Sequence, residues 1–421
     1  MNNKIRGDFV KNICLVMLAV FMSFADAQTS VGNAANDNKK SVTACAPLLP
    51  NYKQLLLPAP IPYGVVHPDF LKNHNDKYST EILSPAPIKD QCATSFCHLY
   101  AWSAELENPA KIETSTEYVA AYYLFDSAVK AMYNGNIHFG SSLGAGPIDS
   151  LTSIRKSGLI PKEAWKGSTT FNRSAKMAQL LDTLQSIIVR TVEARQVFKN
   201  LDEQVQVNIE AYEQIEATIT SFIGVLPKTF EYKGETFTPK SFAAKFFPEM
   251  SQPVIKISTG NDSPTFGKST ADGLELIGSI DVIEKTAREI LDQGKPVYMA
   301  YLHREQFVDV KSGIMSIDAF NYPVWASPTT PKERNAFSLW AGAHAVILTG
   351  YELDPATGKV IKWKIQNSWG AKAGDEGDFH MYDDYFKTYV LGITYLNDGR
   401  VPIPEHLQRV PGREVAVQTA Q

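Results

Sequence analysis

The 421-residue sequence has no excess of basic charge: 41 Lys and Arg stand against 45 Asp and Glu, for a net charge of -4. No global positive field is available to attract nucleic acid or an anionic membrane. Long apolar runs are also missing. The most apolar stretch, Ile13 to Phe24, falls well short of the ~20 residues that an anchoring helix needs to cross a bilayer. Cysteine is scarce, at four residues, so the fold does not rest on a disulfide framework. Neither proline nor glycine occurs between Ser174 and Ile223, which excludes a turn-rich reading there. No internal repeat and no glycine-rich phosphate loop is found. His67, His74, His138, His303, His380 and His406 show no metal-ligand spacing with cysteines or carboxylates, so neither a metal nor another cofactor is expected.

What is present suits a soluble chain with a sizeable core: 44% of residues are hydrophobic and 20% charged. Lys4, Arg6 and Lys11 precede the run Ile13 to Phe24, and Ala25-Asp26-Ala27 offers a small-x-small site before Gln28. This pattern predicts a signal peptide over residues 1–27, export to a periplasm or the medium, and no membrane attachment after cleavage. Removing it takes Cys14 away and leaves Cys45, Cys92 and Cys97. In an oxidising compartment an odd count implies a free thiol, and the simplest allocation is a Cys45–Cys92 disulfide with Cys97 unpaired.

Residues 28–80 are rich in Asn, Pro, Lys and Ser and read as an irregular arm. A largely apolar helix is predicted from Cys97 to Leu106, another near Thr116 to Met132, and a third from Pro147 to about Gly158. Together they form a helical lobe over residues 81–165. From Ser174 to Ile223 apolar residues recur at threes and fours, predicting one long helix or a helical hairpin within an insertion of residues 166–280. Its first reading is a packed lobe or a seam for self-association, with a cover over a cleft or a partner-binding arm as the alternative. After a helix near Ile283 to Leu291, strands are predicted at 296–301, 343–351 and 360–366. They place a β-rich lobe at residues 281–400 and a tail at 401–421. Helices early and strands late make the fold class α+β.

Four polar side chains stand out against this background. Cys97 sits at a helix start, where the backbone N–H groups favour a thiolate, and Thr94-Ser95 before it offers N-cap chemistry. His344 is the single titratable group in the apolar strand around Ala343 to Leu348. Asn367 ends the next strand and suits holding an imidazole in one tautomer, with Trp369 as a shield from water. Gln91, one short loop before the sulfur, suits an oxyanion hole together with the Cys97 N–H. His98, next to the nucleophile on the helix, points about 100° away and reads as a packing residue.

Pro87 through Cys97, Ala343-His344-Ala345 with Gly350-Tyr351, and Asn367-Ser368-Trp369-Gly370 resemble the three signature blocks of papain-family cysteine peptidases. The resemblance implies a two-lobed fold, with a helical left lobe, an antiparallel β-barrel-like right lobe and the active-site cleft between them. It implies Cys97 as nucleophile, His344 as general base and acid, Asn367 as orienter and Gln91 as oxyanion donor. Gly144 and Ala145 match the positions that bind extended substrate backbone, while Pro147, Gly342 and Ala343 match the surroundings of a specificity pocket, with Trp369 beside them. The activity implied is that of an endopeptidase acting on polypeptide through a Cys97 thioester. A binding or scaffold protein that has lost turnover, and an acyl transferase using the same thioester, are the alternatives.

The chain departs from the pattern at His98, where the family has Trp, at Thr94, where it has a disulfide Cys, and at Ala373, where it has a second Trp. Cys92 offers an alternative bridge. His344 and Asn367 follow Cys97 by about 250 and 270 residues instead of ~130–150, which implies an insertion of roughly a hundred residues. No long helical propeptide pattern occurs between Gln28 and Ser84, so latency is expected from the arm or the insertion covering the cleft.

Overall fold

The computed structural model describes residues 65–403 and 407–409, except for 84, 93, 140–142, 166–173, 199, 261–272 and 322–341. The expected signal peptide, most of the arm, Cys45 and nearly all of the tail lie outside these residues. All described residues belong to one unit, Ala44–Gln421.

The described arm carries strand β1 (Val65–Val66), helix α1 (Pro68–Asn73) and strand β2 (Thr80–Glu81). The helical lobe follows as α2 (Cys97–Ala110), α3 (Thr116–Asn134) and α4 (Pro147–Ser157). Each boundary has a local cause. Ser115 caps α3 by accepting from the Tyr118 N–H, and Gly135, at φ +68°, ends it in the left-handed conformation. Pro147 starts α4, where its missing N–H costs nothing.

The Pro- and Gly-free stretch forms a hairpin of α5 (Ser174–Val197) and α6 (Leu201–Ile223). The break falls where Asn200 caps the second helix by accepting from the Asp202 N–H. Leu184 and Ile188 on α5 and Ile215 and Ile219 on α6 are buried in the same core as Val119 and Leu124 of α3. On α6, Leu201, Val205, Ile209 and Tyr212 recur at fours and threes on the exposed side.

After a small hairpin of β3 (Phe230–Tyr232) and β4 (Glu235–Phe237) and helix α7 (Pro239–Phe246), the chain enters the main sheet. Its further elements are β5 (Val254–Ser258), β6 (Leu274–Ile277), α8 (Ile280–Leu291), β7 (Val297–His303), β8 (Val308–Asp309) and β9 (Ile314–Met315). Then come β10 (Phe320–Asn321), β11 (Gly342–Leu353), β12 (Val360–Gln366), β13 (Asp378–Tyr382), α9 (Asp383–Tyr389), β14 (Val390–Leu396) and β15 (Gln408–Arg409). The sheet order is β15-β6-β5-β14-β7-β11-β12-β13-β9-β8, with β2 added to β11. Most neighbours are antiparallel; β5 with β6 and β13 with β9 are parallel. The segment following the helical hairpin thus supplies two strands, β5 and β6, to the sheet.

Strand β11 divides the molecule because successive side chains point to opposite faces. Ala345 and Ile347 enter the core shared with the helical lobe, beside Trp102 and Phe96. Val346 and Leu348 enter a second core with Trp363, Phe386 and Ile290. Strand β7 does the same, sending Tyr298 and Ala300 one way and Met299 and Tyr301 the other. A near-continuous apolar run is what a strand buried on both faces requires. The start of α2 and the first residues of β11 meet along this divide.

Candidate active site

Helix α2 begins at Cys97 without a side-chain cap, and Phe96 occupies the cap position. The cap expected from Thr94-Ser95 is therefore corrected. The Thr94 hydroxyl donates instead to the Gln91 carbonyl at 2.6 Å, which closes the preceding loop. Leaving the helix start uncapped keeps its N–H groups available to the sulfur. The N–H groups of Ala345, His98 and Cys97 itself face the thiol and favour its ionised form. Burial is the larger effect and pushes the Cys97 thiol up. Because Ala345 follows His344 on β11, the same contact sets the sulfur beside the imidazole's own stretch of strand.

His344 is buried, with Nε2 at 2.9 Å from Asn367 Oδ1. A carbonyl oxygen can only accept, so this bond assigns the proton to Nε2 and leaves Nδ1 as the basic nitrogen. Asn367 Oδ1 is itself held by the Ser368 N–H at 2.7 Å. The Trp369 ring lies over the imidazole, with centroids 4.9 Å apart and planes at 28°. Tyr301 meets the same imidazole edge-on at 5.6 Å, and His303 packs edge-on to Trp369 at 5.1 Å. Burial holds His344 down to about 4, with the Asn367 bond pulling the other way, and holds His303 down to about 3.

The loop before Cys97 is zipped to the turn after Asn367. The Gln91 N–H donates to the Ser368 carbonyl at 2.8 Å, and the Gly370 N–H donates to the Lys89 carbonyl at 3.0 Å. Lys89 is also paired with the buried Glu107 of α2 at 2.9 Å. Gly370 adopts φ +78°, and a Cβ there would sit 3.0 Å from Asp90 Oδ2, so the turn requires glycine. Within this frame Gln91 Oε1 accepts from the Ser368 hydroxyl at 2.6 Å, while Nε2 donates to the Thr94 carbonyl at 2.8 Å. A primary amide carries two N–H bonds, so one remains to be aimed at a ligand.

Gly144 and Ala145 lie half-buried in the loop that leads to α4. His98 anchors that loop: it is buried on α2, with Nε2 at 3.1 Å from the Leu143 carbonyl and Nδ1 at 2.7 Å from the Ser150 hydroxyl of α4. Burial holds it down to about 4, so it acts as a neutral packing group, as its helical position suggests. Pro147 is buried at the first turn of α4, and its carbonyl accepts from Trp102 Nε1 at 2.7 Å. Gly342 and Ala343 open β11, paired with His303 and Leu302 of β7. Ala373, where a second Trp was looked for, is buried in the sheet core. Cys97 carries a free thiol. Cys92 sits at φ +50° in the adjoining loop, and Cys45, its expected partner, lies outside the described residues.

Ser368, His303 and Tyr301 join the site only in the folded chain. Ser368 stands between two assigned residues, and only the fold shows its hydroxyl turned toward Gln91. Tyr301 and His303 had a usable signal, since they alternate on β7 and so share a face.

With the thiol raised and the imidazole lowered, the two groups together carry one proton, on the sulfur, over the whole range between their titrations. Above pH about 4 this one-proton pair forms, and it persists until a second proton leaves above the ordinary thiol value of 9.0. The expected profile of kcat/KM on a neutral peptide substrate is a bell with its acid limb near pH 4 and its alkaline limb above 9. An acid limb at pH 6 or higher would contradict this environment.

Comparison with known proteins agrees with this geometry. Residues 145–402 match the model of the peptidase C1-like family. Cysteine proteinase 1, mitochondrial, from Saccharomyces cerevisiae is 23% identical over 382 residues, covering 76% of this chain and 77% of that protein. Aminopeptidase C from Streptococcus thermophilus is 26% identical over 288 residues, covering 60% of this chain and 62% of the relative. Among solved structures, PepW from Lactobacillus rhamnosis superposes with a TM-score of 0.66 at 18% identity, covering 80% of this chain and 85% of that one. That likeness establishes the fold.

The export expected from residues 1–27 is overturned by these relatives. The yeast protein is named as mitochondrial and the streptococcal one as an aminopeptidase, and neither name is that of a secreted protein. A few basic residues before a short apolar run is a compositional pattern, and composition alone does not specify an address. The chain is an α+β protein that belongs to the papain-like cysteine peptidases of the peptidase C1-like family.

Proposed function

We propose that the chain hydrolyses peptide bonds at a Cys97–His344–Asn367 site. The observation that carries this reading is the Ala345 N–H on the Cys97 sulfur, next to a His344 whose Nε2–H is held by Asn367. His344 Nδ1 takes the thiol proton as the sulfur attacks the carbonyl carbon, and the carbonyl electrons move onto oxygen. The Cys97 N–H and the remaining Gln91 Nε2–H donate to that oxyanion. Collapse breaks the C–N bond, and His344 gives its proton to the leaving amine. Water, deprotonated by His344, then attacks the thioester and releases the acid and the thiol. Gly144 and Ala145 bind the extended substrate backbone, while Gly342, Ala343 and Pro147 shape the neighbouring pocket.

The aminopeptidase names of the bacterial relatives favour release of residues from a free amino terminus. Internal cleavage, implied by the resemblance of the motifs, is the second reading.

The test labels the purified chain with an epoxide-type thiol-protease inhibitor and locates the adduct, with Cys97→Ala as control. Paired fluorogenic peptides, with free and with acetylated amino termini, are assayed in parallel. We expect one adduct on Cys97 and turnover of the free peptide only. Turnover of both peptides establishes internal cleavage instead. No adduct on Cys97 and no cleavage between about pH 4 and 8 would overturn the peptidase reading.

A further inference from the structure

Three groups that the peptidase site does not use converge at the junction of the arm with the sheet: His74 and Asp76 just after α1, and His380 on β13. One ligand atom from each lies within 4.8 Å of the others. His380 is buried, 1% exposed, and its Nε2 has no hydrogen-bond partner. Its Nδ1 is bonded to the Tyr78 hydroxyl, and His74 Nδ1 to the Tyr382 hydroxyl at 2.8 Å. Both imidazoles therefore have one nitrogen fixed by a tyrosine and turn the other, Nε2, toward the same carboxylate. The separations are 3.3 Å from His74 Nε2 to Asp76 Oδ1 and 3.8 Å from His380 Nε2 to the same oxygen. Asp375 Oδ2, from the loop after the Trp369 turn, comes within 3.6 Å of His380 Nε2.

We propose that His74, His380 and Asp76 form a three-ligand binding site for a divalent borderline metal ion, Zn²⁺ above all, with Asp375 beside His380. Three observations carry it. Zn²⁺ bound tetrahedrally at about 2.1 Å sets its ligand atoms ~3.4 Å apart, and the two imidazole nitrogens lie 3.3 and 3.8 Å from Asp76 Oδ1. Two imidazoles and a carboxylate are the donor set that this class of ion takes, whereas Mg²⁺ and Ca²⁺ take oxygen donors. Each imidazole has the outer hydrogen bond that metal-ligating histidines use to fix the tautomer and ring plane. Lys362 and Lys364 are the opposing charges nearby, and Glu352, Glu81 and Asp378 neutralise them. Spacing rules give no hint of such a site, because His74 and Asp76 lie about 300 residues from His380 in the chain. An ion here clamps the arm to β13.

Zinc titration of the dialysed full-length Cys97→Ala chain, which removes the thiol as a competing ligand, tests the site. About one equivalent should bind at neutral pH, with Mg²⁺ failing to compete, and the melting temperature should rise by a few degrees. His380→Gln and His74→Gln should each weaken binding more than about tenfold, and Tyr78→Phe by about 10–100-fold. If His380→Gln does not fold, His74→Gln and Asp76→Asn decide, since Asp76 is 70% exposed and its loss does not disturb a core. Absence of stoichiometric zinc, or affinity unchanged in both His74→Gln and Asp76→Asn, would overturn the site.

Discussion

His344→Ala is expected to lower kcat/KM by about 10⁴-fold or more, with substrate KM changing far less. The loss is large because, among the described residues, no other side chain beside the sulfur is suited to take its proton. Of the neighbouring rings, Tyr301 is raised well beyond the working range by burial, and His303 packs against the Trp369 ring. The residual rate then comes from the oxyanion donors and binding alone. Adding Cys97→Ala to His344→Ala should cost almost nothing further, because the two residues act as one unit. Asn367→Ala should cost less than His344→Ala, since Trp369 still lies over the ring and only the fixed tautomer is lost. Equal losses for His344→Ala and Asn367→Ala on correctly folded protein, judged by circular dichroism, would contradict these separate roles.

Gln91→Ala is expected to lower kcat by about 10²–10³-fold, the usual worth of one preorganised oxyanion donor. The preorganisation is visible: the amide oxygen is held by Ser368, one amide hydrogen is committed to the Thr94 carbonyl, and the backbone is zipped to the Asn-Ser-Trp turn. Ser368→Ala should therefore act through Gln91, reducing kcat by about tenfold while KM stays near its original value. A nearly neutral Gln91→Ala would mean that the oxyanion is bound elsewhere. Gln91→Glu gives an independent check, since a carboxylate has no N–H to donate and should be as damaging as Ala. Single-turnover acylation with an activated ester separates this effect from product release.

The helices, the central strands and the four polar side chains of the candidate site were all legible in the sequence, for a common reason. Each depends on local information: periodicity around Cys97, alternation through Ala343 to Leu348, and a polar residue set in an apolar run. Three things were not legible. Thr94 looked like a cap because Ser and Thr before an apolar helix usually serve as one, and its hydroxyl instead found a carbonyl three residues back. The break at Asn200 carried only a weak signal, an Asx residue before two acids, inside a stretch with neither Pro nor Gly. The cluster of His74, Asp76 and His380 exists only because β13 is laid beside the arm. Long-range placement of this kind leaves no trace in spacing.

The divide formed by β11 also has a consequence for the life of the polypeptide. In the proposed site the nucleophile Cys97 is synthesised early, whereas His344, Asn367 and the turn that seats Gln91 come about 250 residues later. An emerging chain therefore displays the Cys97 thiol without the His344 imidazole, and the helical hairpin, built from near neighbours, is able to form long before the sheet closes. With the proposed site, bond cleavage has to await the departure of β12 and the Asn-Ser-Trp turn from the ribosome. Peptide hydrolysis is thereby withheld from incomplete chains, and the order of synthesis itself acts as a timing device.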